Sequence, residues 1–147
     1  MPGKSKPPLS AALALLVLLL GVGDARSIRA APLKLLAESI RILHRVQKDG
    51  SCDGRRVPNI FTSDTRLNET EELCQSLSVI LKHQQCHKKL QGLYVNLYYV
   101  LNSVSNGGSS RKAPCPITVE DSYLMKSFLN DLANALQRRY VRQSRQY

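Results

Sequence analysis

The side chains best equipped for chemistry in this 147-residue chain are three histidines and four cysteines. His83, Cys86 and His87 form an H-x-x-C-H run. A thiolate and two imidazoles at that spacing could begin a zinc site. Cysteine arithmetic favours a different chemistry. Cys52, Cys74, Cys86 and Cys115 are even in number, which in a small exported chain implies disulfides. The histidines fall in a polar stretch, read here as solvated. There is no G-x-S-x-G, no glycine-rich phosphate loop and no H-E-x-x-H, so no residue is nominated for nucleophilic, phosphoryl-transfer or metalloprotease work. The expectation is a protein with no catalysis, no metal and no cofactor.

Export is read from the N-terminus. Residues 1–8, MPGKSKPP, hold two lysines and no acid; residues 9–20, LSAALALLVLLL, are apolar; GVGDARS follows, with small residues at 21, 23, 25 and 27. That order describes a secretory signal peptide. The run is shorter than the roughly 20 residues a membrane span requires. Cleavage after Ala25 and cleavage after Ser27 both fit. The latter gives a signal at 1–27 and one domain at 28–147, long enough for a single core. It removes Lys4, Lys6, Arg26 and Asp24 from a formal charge of +10 and leaves +8. A basic secreted, extracellular chain favours acidic partners, such as a glycosaminoglycan or an acidic receptor face. No nucleic-acid-binding motif is present, and no further long apolar segment argues for stable membrane insertion. Asn68-Glu69-Thr70 is a glycosylation sequon, expected to be used on an exposed polar loop.

Three features could serve recognition. Tyr94, Tyr98 and Tyr99 lie on more than one face of a helix, and exposed tyrosines make good interface anchors; covering a small core is the plainer role. Glu38 and Arg41 have the spacing of an ordinary helix-surface ion pair, or of a carboxylate shown to a receptor. The tail QRRYVRQSRQY reads first as a solvated helix end whose cations suit the helix dipole; glycosaminoglycan contact is compatible with it.

Four helices must position these groups. Helix A covers about 32–48, with Pro32 suited to a first helical position, Leu33, Leu36, Ala37, Ile40 and Leu43 on one stripe, and Lys48 and Gly50 as stop signals. Helix B covers about 69–84, with Glu69, Glu71 and Glu72 in its first turn and Leu73, Leu77, Ile80 and Leu81 as its stripe. Helix C covers about 87–104, striped by Leu90, Leu93, Tyr94, Leu97, Leu101 and Val104, and ends at SNGGSS. Helix D covers about 122–142, capped by Asp121 or Ser122, with Leu124, Phe128, Leu132, Ala135 and Leu136 on one face. The B–C connection is short, so B and C should be antiparallel. The A–B and C–D connections are long. Each holds an extended piece, VPNIF at 57–61 and APCPIT at 113–118, expected to form a short two-stranded pairing. The fold class is therefore all-α, an up-up-down-down four-helix bundle with two crossovers.

That topology selects the disulfides. Cys74 and Cys86 are twelve positions apart on mostly helical chain, about 18 Å, too far to bridge. If A and B are parallel, Cys52 and Cys86 follow them at one end of the bundle. Cys74 opens B at the other end, where the chain leaving C brings Cys115. The pairs are Cys52–Cys86 and Cys74–Cys115.

The segments VPNIFTS…NETEELC, KAPCP and MKSFLNDL…RRY, with the four cysteines, resemble the interleukin-4/interleukin-13 family of short-chain four-helix cytokines over essentially the whole mature chain. The N-I-F strand and the crossover spacing favour the interleukin-4 branch. The resemblance implies a monomeric cytokine, a growth factor for B cells and type 2 T-cell responses, that bridges two receptor chains. The first face, on helices A and C, would bind the interleukin-4 receptor alpha chain through Glu38, Arg41, Ile42, Asn96 and Tyr99. The second, on A and D, would bind the common gamma chain or an interleukin-13 receptor chain through Ile40, His44, Gln137 and Tyr140. Some members carry a third bridge joining the chain ends, for which this chain has no cysteine. Where the family can present several basic residues on helix C, this chain has Gly92, Val95, Asn96 and Tyr99. A basic heparin-binding or host-defence protein without receptor signalling is the alternative from another class.

Overall fold

The computed structural model describes residues 25–62, 68–104 and 115–146. Its elements are α1 (Ala25–Asp49), β1 (Arg56–Pro58), α2 (Glu69–His83), a 3-10 turn (Gln84–Cys86), α3 (Lys89–Val104), β2 (Ser122–Leu124) and α4 (Met125–Ser144). Helix α1 packs on α3 and α4, and α2 packs on α3. The expected up-up-down-down bundle is the observed one. Residues 1–24 of the predicted signal peptide (1–27), part of the first crossover at 63–67, and 105–114, which hold SNGGSS and the first two residues of the predicted 113–118 piece, lie outside the described residues. Among those described, no helix is long and apolar enough to cross a membrane.

The core follows the helical periodicity. Leu36, Leu43 and Val46 of α1, Leu73, Leu77 and Ile80 of α2, Leu90, Leu93, Leu97 and Leu101 of α3, and Phe128, Leu129, Leu132 and Leu136 of α4 are buried. Each such side chain contributes roughly 1.5–3 kcal/mol when removed from water. Leu33, Ala37 and Ile40 of the predicted α1 stripe are only half-buried. Ser39 is buried in that helix, its hydroxyl donating to the Leu35 carbonyl at 2.7 Å. On α2, Leu81 departs from the expected stripe and is exposed.

Helix α1 begins upstream of its predicted start, with Pro32 inside it. Ala25, Arg26, Arg29, Ala30 and Ala31 are strong helix formers, so the helix runs through the proline at the cost of one backbone bond. Both predicted cleavage positions fall in its first turn. It stops as expected at Gly50, whose φ of 76° places it in the left-handed region that glycine enters freely. Gly50 N–H donates back to the Val46 carbonyl at 3.1 Å.

The two crossovers are bonded to each other. Strands β1 and β2 pair antiparallel, with Arg56 opposite Leu124, Val57 opposite Tyr123 and Pro58 opposite Ser122. The second strand therefore lies later than the predicted 113–118 piece. Pro116 has no N–H to give to a ladder, whereas Ser122–Leu124 can both donate and accept. Helix α4 accordingly starts at Met125, not 122, and its N-cap residue Leu124 makes no side-chain cap bond. The capping comes from the other crossover: Met125 N–H donates to the Arg55 carbonyl at 2.7 Å and Lys126 N–H to the Asp53 carbonyl at 3.4 Å. These satisfy two of the donors that a helix start leaves unpaired. Leu124, predicted on the buried face of helix D, is a strand residue and exposed. Val57 and Ile60 are buried, and Phe61 packs on Phe128 with ring centroids 5.9 Å apart.

Both predicted disulfides are present. Cys52–Cys86 has its Cα atoms 5.2 Å apart and Cys74–Cys115 has them 5.4 Å apart. The first ties the first crossover to the α2–α3 turn. The second ties the start of α2 to the chain approaching β2. With sequence separations of 34 and 41 residues, each should contribute about 3–4 kcal/mol in the chain-entropy model. Replacing Cys74 and Cys115 together by serine should lower the urea unfolding free energy by up to about that amount, and a loss below about 1 kcal/mol would reject the loop-closure account.

Tyr123 offers a second test. Its hydroxyl donates to Asp131 Oδ2 at 2.9 Å, linking β2 to α4. Burial, then the bond to Asp131, raises the phenol pKa far above its ordinary 10.0. The folded state thus favours the neutral phenol. Its contribution is complete below pH 10 and declines as pH rises beyond 10. Tyr123→Phe should cost about 1 kcal/mol at pH 7 and flatten the alkaline loss of stability, measured by urea titration between pH 7 and pH 11.

Candidate functional site

Helix α1 borders two helices, so it contributes to two separate exposed faces. On the first, Gly92 of α3 faces Ile42 of α1: a Cβ at Gly92 would stand 4.0 Å from Ile42 Cδ1. This contact sets the register. The helices are antiparallel, so one turn toward the start of α1 brings Glu38 level with Asn96, one turn further along α3. Glu38 and Arg41 are exposed and paired, Arg41 Nη1 lying 2.7 Å from Glu38 Oε1. Ile42 and Asn96 are half-buried, and Tyr99 is 59% exposed.

Helix α3 supplies an uncharged aromatic surface. From Leu90 to Val104 it has no charged side chain. Tyr94 and Tyr98 stack at 6.3 Å, and Tyr98 meets Tyr99 edge-on at 6.2 Å. Tyr98, Tyr99 and Val95 are exposed. Tyr94 is half-buried and packs against the core, so the three tyrosines divide between the two roles the sequence allowed. Tyr98 was named as an interface anchor but not assigned to the first face, and Val95 only as a replacement for a basic residue; the missing charge along fifteen residues of a basic chain was the available signal.

The second face lies between α1 and α4. His44 and Gln137 are exposed and meet there, Nε2 to Nε2 at 3.4 Å. Ile40 and Tyr140 are half-buried and pack against the core. The antiparallel register places them one turn from the His44–Gln137 contact, on the same side. Each group of nominated residues is thus brought together on its own face.

The other two histidines differ from the solvated reading. His87 Nδ1 accepts from Lys89 N–H at 3.0 Å and so caps α3, while its Nε2 lies 3.2 Å from Asp49 Oδ2. One nitrogen accepts, so the proton belongs on Nε2. His83 is half-buried, with a buried Nδ1 that has no hydrogen-bond partner among the described residues. Burial, then the charges of Arg55 and Lys82, lower its pKa. Cys86 is bonded to Cys52, which removes the thiolate from the H-x-x-C-H run. Among the described residues, no three histidine, cysteine or acidic side chains converge as a metal site.

The sequence did not reveal how α2 meets α4. A cavity of about 200 Å³ separates them, lined by Phe61, Leu73 and Leu136 among others. At its edge Glu69 accepts from Arg142 and, at 3.5 Å, from the buried Arg139. Burial lowers the pKa of Arg139, and Glu69 opposes that shift. Nearby, burial raises the pKa of Glu72, against the pull of Arg138.

Compared with known proteins, the chain matches no protein-family model and no curated protein sequence. What is shown is a four-helix protein with a two-stranded antiparallel sheet and two disulfides.

Asn68 caps α2: its Oδ1 accepts from Glu71 N–H at 2.8 Å. The residue is exposed, and the cap leaves Nδ2, the atom that carries a glycan, uncommitted. The two roles separate by mutation. Asn68→Ala should remove both glycan and cap, costing about 1 kcal/mol. Thr70→Ala should remove the glycan alone. Mass spectrometry of protein from secretory cells, with thermal melts of deglycosylated samples, distinguishes them; equal melts for both variants would overturn the cap assignment.

Proposed function

We propose that this chain is a secreted interleukin-4-like cytokine that activates immune cells by holding two receptor chains on the two faces of α1. The observation that carries the reading is the position of α1, antiparallel to α3 on one side and to α4 on the other, with an exposed residue group on each. The topology, the crossed disulfides and the paired crossovers are those the family resemblance implies. The interleukin-4 receptor alpha chain takes the α1/α3 face through Glu38, Arg41, Ile42, Asn96 and Tyr99. The common gamma chain or an interleukin-13 receptor chain takes the α1/α4 face through Ile40, His44, Gln137 and Tyr140.

The mechanism needs no catalysis. Capture by the first chain fixes the ligand at the cell surface. The second chain then meets it at high effective concentration, so a weak second contact suffices. On the first face, Glu38 supplies the charge and the α3 tyrosines supply apolar area that excludes water around it.

Surface plasmon resonance against the receptor alpha ectodomain of the same organism tests this. Wild-type protein should bind tightly, and Glu38→Ala should weaken binding by about 2 kcal/mol or more, the size of an interface hot spot. The doubly substituted His44→Ala, Gln137→Ala protein should bind the alpha chain normally and fail to recruit the second chain. Absence of alpha-chain binding by folded wild-type protein rejects the reading.

A further inference from the structure

Helix α4 has an outer face that the receptor reading does not use. After Asp131 the chain contains no acidic residue, while Arg138, Arg139, Arg142 and Arg145 follow within eight positions. Arg139 is buried. The other three recur at i, i+4 and i+7, which places them within about 60° of arc along about 10 Å of helix. With Asn134, Gln137 and Val141 they line a shallow groove of about 570 Å³. Glu69 partners Arg142; Arg138 and Arg145 are exposed and make no direct ion pair among the described residues, Arg138 having Glu72 within electrostatic reach. Helix-dipole complementarity accounts for a cation in the last turn, such as Arg142. It does not account for Arg138, two turns before the end.

We infer that this arginine stripe is a binding site for a sulfated polysaccharide, and that its occupancy excludes a protein partner from the α1/α4 face. A row of guanidiniums suits a linear polymer of sulfates and carboxylates, because each fork can hold an oxyanion in bidentate fashion. An anionic membrane fits less well. Peripheral helices insert a broad apolar face, and that face of α4 is buried in the bundle, so that among the described residues Val141 is the one exposed large apolar side chain beside the arginines. A single nucleic-acid strand would look for exposed aromatic platforms, and none of the described residues that line the groove is aromatic. The exclusion follows from Gln137, which lines the groove and also contacts His44 on the second face. A chain lying along the stripe therefore overlaps that face and leaves α1/α3 open. The exclusion rests on the receptor reading; the polysaccharide site does not.

The probe is a heparin dodecasaccharide, titrated by calorimetry at two salt concentrations. The Arg138→Gln, Arg145→Gln protein should bind at least tenfold more weakly than wild type, with a flatter salt dependence. Lys88→Gln, Lys126→Gln removes the same charge elsewhere and should change binding less than threefold. Equal losses in the two variants, or binding to vesicles of equal parts phosphatidylcholine and phosphatidylserine in preference to heparin, would overturn the site. In the second arm, saturating heparin should block recruitment of the second receptor chain to a preformed alpha-chain complex without dissociating that complex. Undiminished recruitment refutes the exclusion. Failure of the second chain to bind without heparin refutes the receptor reading instead, and the polysaccharide site still stands or falls by the first arm.

Discussion

The bundle depends on backbone bonds between its two crossovers. Because α1 and α2 run the same way, the chain must travel the length of the bundle outside it, and the same holds between α3 and α4. Long unsupported connections would leave polar backbone groups exposed to burial without partners. Here each connection supplies partners to the other. Strand β1 pairs with β2, and the carbonyls of Asp53 and Arg55 receive the first donors of α4. Cys52, at the start of the same strap, is fixed to the α2–α3 turn. The start of α4 is therefore set by residues seventy positions earlier, and separating the strands would also uncap the helix.

That constraint explains the disposition of the exposed faces. With the crossovers paired outside the bundle, α1 has α3 on one flank and α4 on the other. The opposite pair, α2 and α4, is less closely packed. Their seam contains a cavity and is spanned by Glu69 with Arg139 and Arg142. Removing Glu69 would take the direct ion-pair partner from the buried Arg139 and leave Glu72 as its counter-charge, a costly change. The ion pair bridges α2 and α4 and contributes nothing to the α1 faces.

Much of this was legible in the sequence, for reasons that differ by element. Leu36, Leu43, Leu77 and Leu97 repeat at helical spacing because one side of each helix must leave water, and periodicity reports that directly. Both disulfides followed from topology and reach. The second strand and the start of α4 were misplaced because their determinants are not local. Asp121 and Ser122 look like caps, but Ser122–Leu124 are held extended by pairing with β1, and the first donors of the helix, Met125 and Lys126 N–H, go to the Arg55 and Asp53 carbonyls. His87 was likewise read as solvated because nothing near it in sequence announces Asp49 as a partner. The Glu38–Arg41 pair was legible, being three residues apart; the His44–Gln137 contact requires the bundle.

The weakness of the Glu38–Arg41 pair matters for the proposed first face. An exposed ion pair contributes at most about 1 kcal/mol to stability, so the fold does not depend on keeping the carboxylate for itself. A partner can take Glu38 with little loss inside the free protein. What makes such a contact strong is exclusion of water, since the same charges attract far more in a low-dielectric setting than in solvent. Asn96 and the α3 tyrosines beside it provide polar and aromatic cover and bring no competing charge. Lysines and arginines in those positions would offer more attraction at long range, whereas tyrosines favour a contact that forms later and is drier. On that basis the first face of this chain should show a smaller dependence of association rate on salt than a face built from a cationic helix.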